Sequence, residues 1–504
     1  MIAAARGRSA GVTLLGIALI GVVLRVAVLR SFGTFVDDAY IFFRYAENAA
    51  DGHGLVFNVG EHVQGFSSPL YVLLLTAIGK VIGARHLVGA VQMLSVVLFV
   101  AATVVMGHYA NHGHRAKWTF LIGWLFWFPF VDGAVNGMET MLFLLLCYGA
   151  VLLVAVDRFN PAMIVLALIV LARPEGVLFA VALVGAVVWS GRWHTPWRGV
   201  VAAFAILAGW IAAAVAMYGD VIPEPARAKS GVTGTGVGAV TKLVSLTFGV
   251  SSGEIDRLDG LIRVLAVVGA FGLTTMTTIG LVMYVRDRSP SAAIAAMPLL
   301  TWGLYTIGDP VRVWSWYAVP TAVATWWTTS DVLARWLGRV AAPELARWRP
   351  VVTAGAALVA LMTVPVGLER RHDSFEGSTT ELRRVADAIR QDAPGARLIA
   401  VGDVGVVGWE TGLPIADLEG LVSEDALRPG PDGKVAVDGL AARRRPDVIV
   451  LVADARYSVA VARLVRPVTA NEPEDAPPRY RQVAVPGTSR ILLLRCGFSD
   501  PPGC

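Results

Sequence analysis

Apolar runs long enough to cross a bilayer recur through residues 11–367, separated by short arginine-bearing loops. A hydrocarbon core of roughly 30 Å takes about 20 apolar residues as a helix, and backbone inside it must satisfy its own hydrogen bonds. A chain with this pattern folds as a bundle of membrane helices. Composition agrees, since 55% of the 504 residues are hydrophobic and only 16% charged, against roughly a quarter charged in soluble domains. The first run, residues 11–29, is longer than a signal-peptide core and no small-residue cleavage site follows it, so it reads as a retained helix. The formal charge of +5 belongs to the loops between spans and calls for no nucleic-acid partner. Of three cysteines, Cys147 lies in an apolar run and reads as a core residue. Cys496 and Cys504 can pair if that end is extracytoplasmic.

Arg6 and Arg8 precede the first run, which by the positive-inside rule keeps the N-terminus cytoplasmic. Alternation from there places the loops with His108, His112, His114, Arg115 and Lys117, with Arg158, with Arg192 and Arg198, and with Arg286 and Arg288 in the cytoplasm. The segment 330–350, which holds Arg335, Arg339, Arg347 and Arg349, falls there too. Residues 38–48 read as an amphipathic helix on the membrane surface, and residues 69–82 as interfacial or re-entrant. The run 163–191 is a hairpin interrupted by Arg173, Pro174 and Glu175. The count comes to roughly eleven spans. Residues 1–368 then form the membrane unit, and residues 369–504 an extracytoplasmic α/β domain with strands at 396–401, 448–452 and 490–495. Its GDVGVVGWETG has the wrong glycine spacing for a dinucleotide loop and reads as a turn-rich connector.

The same sidedness gathers five polar stretches at the outer face: 37–38, 136–139, 173–175, 223–229 and 309–316. The richest is the first outer loop, residues 31–69, with Asp37, Asp38, His53, Asn58, Glu61, His62 and Gln64. Two carboxylates at a membrane surface can act as general base toward a hydroxyl, can hold a divalent cation, or can cap the helix that starts there. Arg227, Lys229 and Arg312 are candidate ligands for a phosphate. Arg44, two helical turns from Asp37, can share its side. Candidate substrate contacts are Tyr40, His62, Glu139, Trp316 and Tyr317, the last two as stacking faces for a sugar ring or as interface aromatics. Glu139 also suits a helix N-terminus, and Arg173 with Glu175 reads as an internal pair that stabilises the helix break. Acid pair, basic loop and aromatic platform together suit glycosyl transfer from a lipid-linked phosphosugar. A transporter would instead spread charge through the bundle depth and show related halves.

The stretch VDDAYIFFRYAENAADGHGLVFNVGEHVQGFSSPLYVLLL resembles the first outer loop of GT-C type glycosyltransferases, above all the actinobacterial cell-wall terminal arabinofuranosyltransferases and their mannosyl relatives. NGMET, ARPEG, YGDVIPEPARAKS and GDPVRVWSWYAVP resemble later outer-face motifs in the same order, and GDVGVVGWETGLPIADLEGLV resembles part of the C-terminal domain. The resemblance implies a polyprenyl-phosphate sugar donor, inverting direct displacement, and a catalytic acid that falls on Asp37 or Asp38. It places the basic residues of PEPARAK at the donor phosphate, with Pro-Glu-Pro standing where many relatives carry Pro-Asn-Thr. The expectation is a multi-pass plasma-membrane enzyme that moves arabinofuranose from decaprenyl phosphate to a cell-wall glycan such as arabinogalactan or lipoarabinomannan. No cofactor is required, and a divalent cation at Asp37 and Asp38 is the one candidate. The alternatives are a polyprenyl-phosphomannose-dependent mannosyltransferase and a lipid or sugar transporter.

Overall fold

The computed structural model describes residues 16, 19–27, 35–114, 117–192, 196–230, 238–258, 260–307, 313–340, 377–423, 437–452, 461, 464–465 and 479–496. Helices dominate. Residues 19–27 form α1, followed by α2 (Asp37–Ala50), α3 (Pro69–Ile82), α4 (Leu87–Ala110), α5 (Lys117–Phe126), α6 (Phe128–Val135), α7 (Thr140–Ala155), α8 (Phe159–Ala172) and α9 (Gly176–Trp189). Then come α10 (Trp197–Tyr218), α11 (Glu224–Ser230), α12 (Ala239–Phe248), α13 (Ser252–Asp256), α14 (Gly260–Arg286), α15 (Ser291–Ile307) and α16 (Ser315–Val340). Among the described residues, three helices are long and apolar enough to cross a membrane, Ala84–Ala110, Trp197–Tyr218 and Gly260–Arg286. A fourth results if α6 and α7, bent by 106°, count as one span. The chain is a membrane protein, and the expected eleven spans lie partly outside the described residues.

Several expectations are corrected by local chemistry. The single span expected over residues 118–135 is broken at Trp127, because Pro129 at the start of α6 cannot continue α5. The loop expected from residue 330 is helix as far as Val340, and Asp331 and Arg335 pair across one turn there at 2.8 Å. The surface helix is α2, but it does not lie half-wet on a membrane. Ala39 to Ala46 are all buried, because the C-terminal domain covers the face the bundle leaves open.

That domain comprises α17 (Gly377–Asp392), α18 (Val404–Thr411), α19 (Val437–Arg444) and a five-stranded sheet of order β2-β1-β3-β5-β4. The strands are β1 (Ile399–Val401), β2 (Ile415–Asp417), β3 (Val448–Val452), β4 (Tyr480–Ala484) and β5 (Arg490–Arg495). β2, β1 and β3 run parallel, and β5 and β4 close the sheet antiparallel. The crossover between β1 and β2 is α18, where a connector of turns was expected. One apolar core runs from Phe35, Phe43 and Phe57 of the first loop through Val406 and Val407 of α18 to Ile399 and Leu492 of the sheet. Cys147 is a buried free thiol and Cys496 is disulfide-bonded.

Candidate active site

The first turn of α2 starts from Val36, in extended backbone, and carries Asp37 and Asp38. The Asp37 carboxylate accepts the main-chain N–H of Gly405 at 3.1 Å and that of Val406 at 2.7 Å. Both amides belong to the first turn of α18, where helical N–H groups have no partner within the helix and the macrodipole favours an anion. Asp403, at the N-cap, makes no capping bond. It pairs instead with Arg490 at 2.6 Å. A carboxylate from a distant segment therefore takes the capping role. Burial, with the nearby charge of Asp403 second, pushes the Asp37 carboxyl up to about 8. Gly405 has no alternative here: a Cβ would overlap the Asp37 main-chain carbonyl and sit 3.0 Å from its carboxyl carbon.

Two turns further along α2, Arg44 is buried and donates to carbonyls at the other end of α18. It bonds Leu413 at 2.9 Å, Gly412 at 3.4 Å and also Gly408, and it reaches Phe57 of its own loop at 2.8 Å. Its guanidinium lies 4.9 Å from the centre of the Phe57 ring. Arg44 was a candidate phosphate ligand. Its donors are instead committed to main-chain oxygens at a helix C-terminus, the end that favours a cation. Tyr40 was a candidate substrate contact, yet it is fully buried between the two helices. Its hydroxyl accepts from Arg383 of α17 at 2.9 Å, and its ring faces Trp409.

A second cluster joins the other polar stretches. Arg173, at the break between α8 and α9, is held by Glu175 at 2.9 Å and Glu139 at 3.4 Å, and donates to the Trp316 carbonyl at 2.7 Å. Its guanidinium sits 5.1 Å from the Tyr317 ring centre, and Trp316 stacks on Trp314 at 5.3 Å. This cluster meets the acid pair. The Val36 N–H, next to Asp37, donates to the Asn136 carbonyl at 3.2 Å. The Asn136 amide nitrogen, Glu139 Oε2, Arg173 Nη2, the Ser315 hydroxyl and Trp316 Nε1 are buried with no partner among the described residues. Such groups cost roughly 1–3 kcal/mol each, and native folds keep few of them.

The basic stretch is also brought in. The Glu224 N–H donates to the Gln64 carbonyl at 3.0 Å, and the Tyr218 hydroxyl donates to Leu55 at 2.7 Å. Arg227 is exposed and paired with Asp220 and Glu224. The Lys229 side chain and Arg312 lie outside the described residues. His62 is exposed beside Glu61, which pairs with Arg444 at 2.7 Å. Sequence reasoning missed Arg383, Gly405 and Val406, whose partners lie far away in the chain.

The whole chain shares its fold with known structures. ArnT from Cupriavidus metallidurans bound to undecaprenyl phosphate matches with a TM-score of 0.60 and 13% identity, over 97% of this chain and 99% of that one. The same protein in the apo state matches with a TM-score of 0.59 and 13% identity, over 99% and 100%. At this identity the likeness is one of fold. A family model described as a domain of unknown function (DUF8728) matches residues 371–493. No curated protein matches the sequence.

Proposed function

We propose that the protein is an inverting GT-C glycosyltransferase that uses a polyprenyl-phosphate-linked sugar, with Asp37 as its general base. The observation that carries this reading is the oriented, half-buried Asp37 carboxylate within a fold shared over its full length with a structure that holds undecaprenyl phosphate. A carboxyl raised toward neutrality is a stronger base than an ordinary aspartate while staying within reach of ionisation. An acceptor hydroxyl gives its proton to Asp37, and its oxygen bonds the anomeric carbon from the face opposite the phosphate. The bond from that carbon to the phosphate oxygen breaks, and polyprenyl phosphate leaves with the electron pair. Arg227 and Lys229, with Arg312, meet the charge that grows on the phosphate. Glu139 and the Trp316 and Tyr317 platform face the sugar. The motifs of the first outer loop favour arabinofuranose as that sugar and a cell-wall glycan as acceptor, on the outer face of the plasma membrane. Both Asp37 oxygens already accept N–H bonds, a donor set that suits a base better than a cation ligand, and a phosphate leaving group can be met by arginine and lysine alone.

The test uses purified protein in lipid with synthetic polyprenyl-phosphoarabinofuranose and a short arabinan, with product followed by mass. Asp37→Asn abolishes transfer, and Arg227→Gln raises the donor KM by roughly tenfold or more, the worth of one charge-assisted hydrogen bond. Transfer only from polyprenyl-phosphomannose changes the donor and keeps the mechanism. No transfer from either donor refutes the reading.

A further inference from the structure

α18 is held at both ends by opposite charges from a single helix. Asp37 caps its first turn and Arg44 its last carbonyls, so α2 and α18 run side by side in the same direction. The fit is metric as well as electrostatic. Two turns of α2 rise about 11 Å, and an eight-residue helix is about 12 Å long. α18 also approaches with its backbone. A Cβ on Gly408 would meet the Phe57 ring at 2.9 Å, and one on Gly405 would overlap Asp37 itself. Tyr40 and Arg383 close the side of the contact. A domain that only guided a glycan toward the membrane would need none of this. It could hang from any loop, and its helix would not terminate on the acid that performs the chemistry.

We infer that the docked C-terminal domain is a working part of the catalytic centre: Gly405 and Val406 are positioning residues whose main-chain N–H groups orient the Asp37 carboxylate, and Arg44 holds α18 in register for it. This rests on Asp37 as the base. Substitutions at Gly405, made in a different domain from the acid and touching neither substrate, then act on the chemical step rather than on donor binding.

The experiment compares kcat and donor KM of the full chain in lipid for wild type, Gly405→Val, Arg44→Lys, Asp37→Asn and a control, Gly439→Ala, which lies in α19 away from the contact. Amide hydrogen exchange at residues 405 and 406 is followed in each. In Gly405→Val, kcat falls by roughly 100-fold, the usual effect of misplacing a catalytic group by about an ångström. Its donor KM stays within about twofold, since the phosphate contacts lie elsewhere. Arg44→Lys changes the same parameter in the same direction, and Gly439→Ala changes neither. Exchange at residues 405 and 406 rises in Asp37→Asn, where one acceptor oxygen becomes an amide. Full kcat in Gly405→Val overturns the inference, as does a rise in donor KM with kcat intact. If Gly405→Val does not fold, Arg44→Lys decides: faster exchange at α18 with unchanged kcat overturns the inference. Unchanged exchange in Asp37→Asn overturns it too. Full transfer by Asp37→Asn removes the base assignment itself, whereas a dead Asp37→Asn beside an active Gly405→Val removes only the positioning role.

Discussion

Replacing Arg44 by methionine keeps the length and apolar stem of the side chain and deletes the guanidinium. Arg44 donates to Phe57, Gly408 and Leu413. The loss is uneven. The Phe57 carbonyl keeps the Asn48 amide at 2.9 Å, and the Gly408 carbonyl keeps the Gly412 N–H at 3.0 Å. Leu413 loses the donor that held it, as does the weaker acceptor Gly412. Charge-assisted bonds contribute about 1.5–3 kcal/mol each, and retained partners together with the more easily buried methionine offset part of that. The net destabilisation of the α18 contact is about 3 kcal/mol, which makes opening on the order of a hundredfold more frequent. Hydrogen exchange of amides 408–413 in lipid reads this directly, since local opening sets their exchange rates. The donor KM should not move. Unchanged exchange together with a raised donor KM would refute the reasoning and return Arg44 to the phosphate.

Two further outcomes are expected. Arg173→Gln leaves Glu139 and Glu175 buried without their cation and costs about 3–5 kcal/mol, seen as a lower Tm; a Tm equal to wild type would show that the pair is not held by charge. Asp417 is fully buried, and burial lifts its carboxyl to about 6 although it accepts N–H bonds from Glu419, Leu421 and Val422. A raised acid stabilises the fold below its unfolded pKa near 4, and that stabilisation is lost as pH rises through about 6, by at most about 3 kcal/mol. Tm should therefore decline between those values in wild type and decline less steeply in Asp417→Asn, while an equal slope in the two proteins would exclude the effect.

The meeting of Glu139, Arg173 and Trp316 was legible in part, because each lies in a polar stretch that interrupts the apolar runs, and polar groups among apolar helices seek one another. The strands at 448–452 and 490–495 were legible from unbroken apolar runs. α18 was not. Its VGVVGWET is rich in glycine and valine, poor helix formers, and only burial of Val404 to Gly408 and the charged clamps at its ends make it a helix. Arg44 and Tyr40 were misplaced for the same reason. Their spacing from Asp37 was visible, but their partners lie more than 340 residues away, and no local pattern encodes that.

Asp37 meets the amide of a residue 369 positions later. In synthesis the helix carrying the acid is made several hundred residues before the helix that binds it. Non-local contacts of this span form last in folding. With Asp37 as the proposed base, the centre is unfinished while the membrane helices are still being inserted. A product terminated before α18 would retain the acid pair without the amides that bind Asp37. The proposed activity is thereby tied to synthesis through α18.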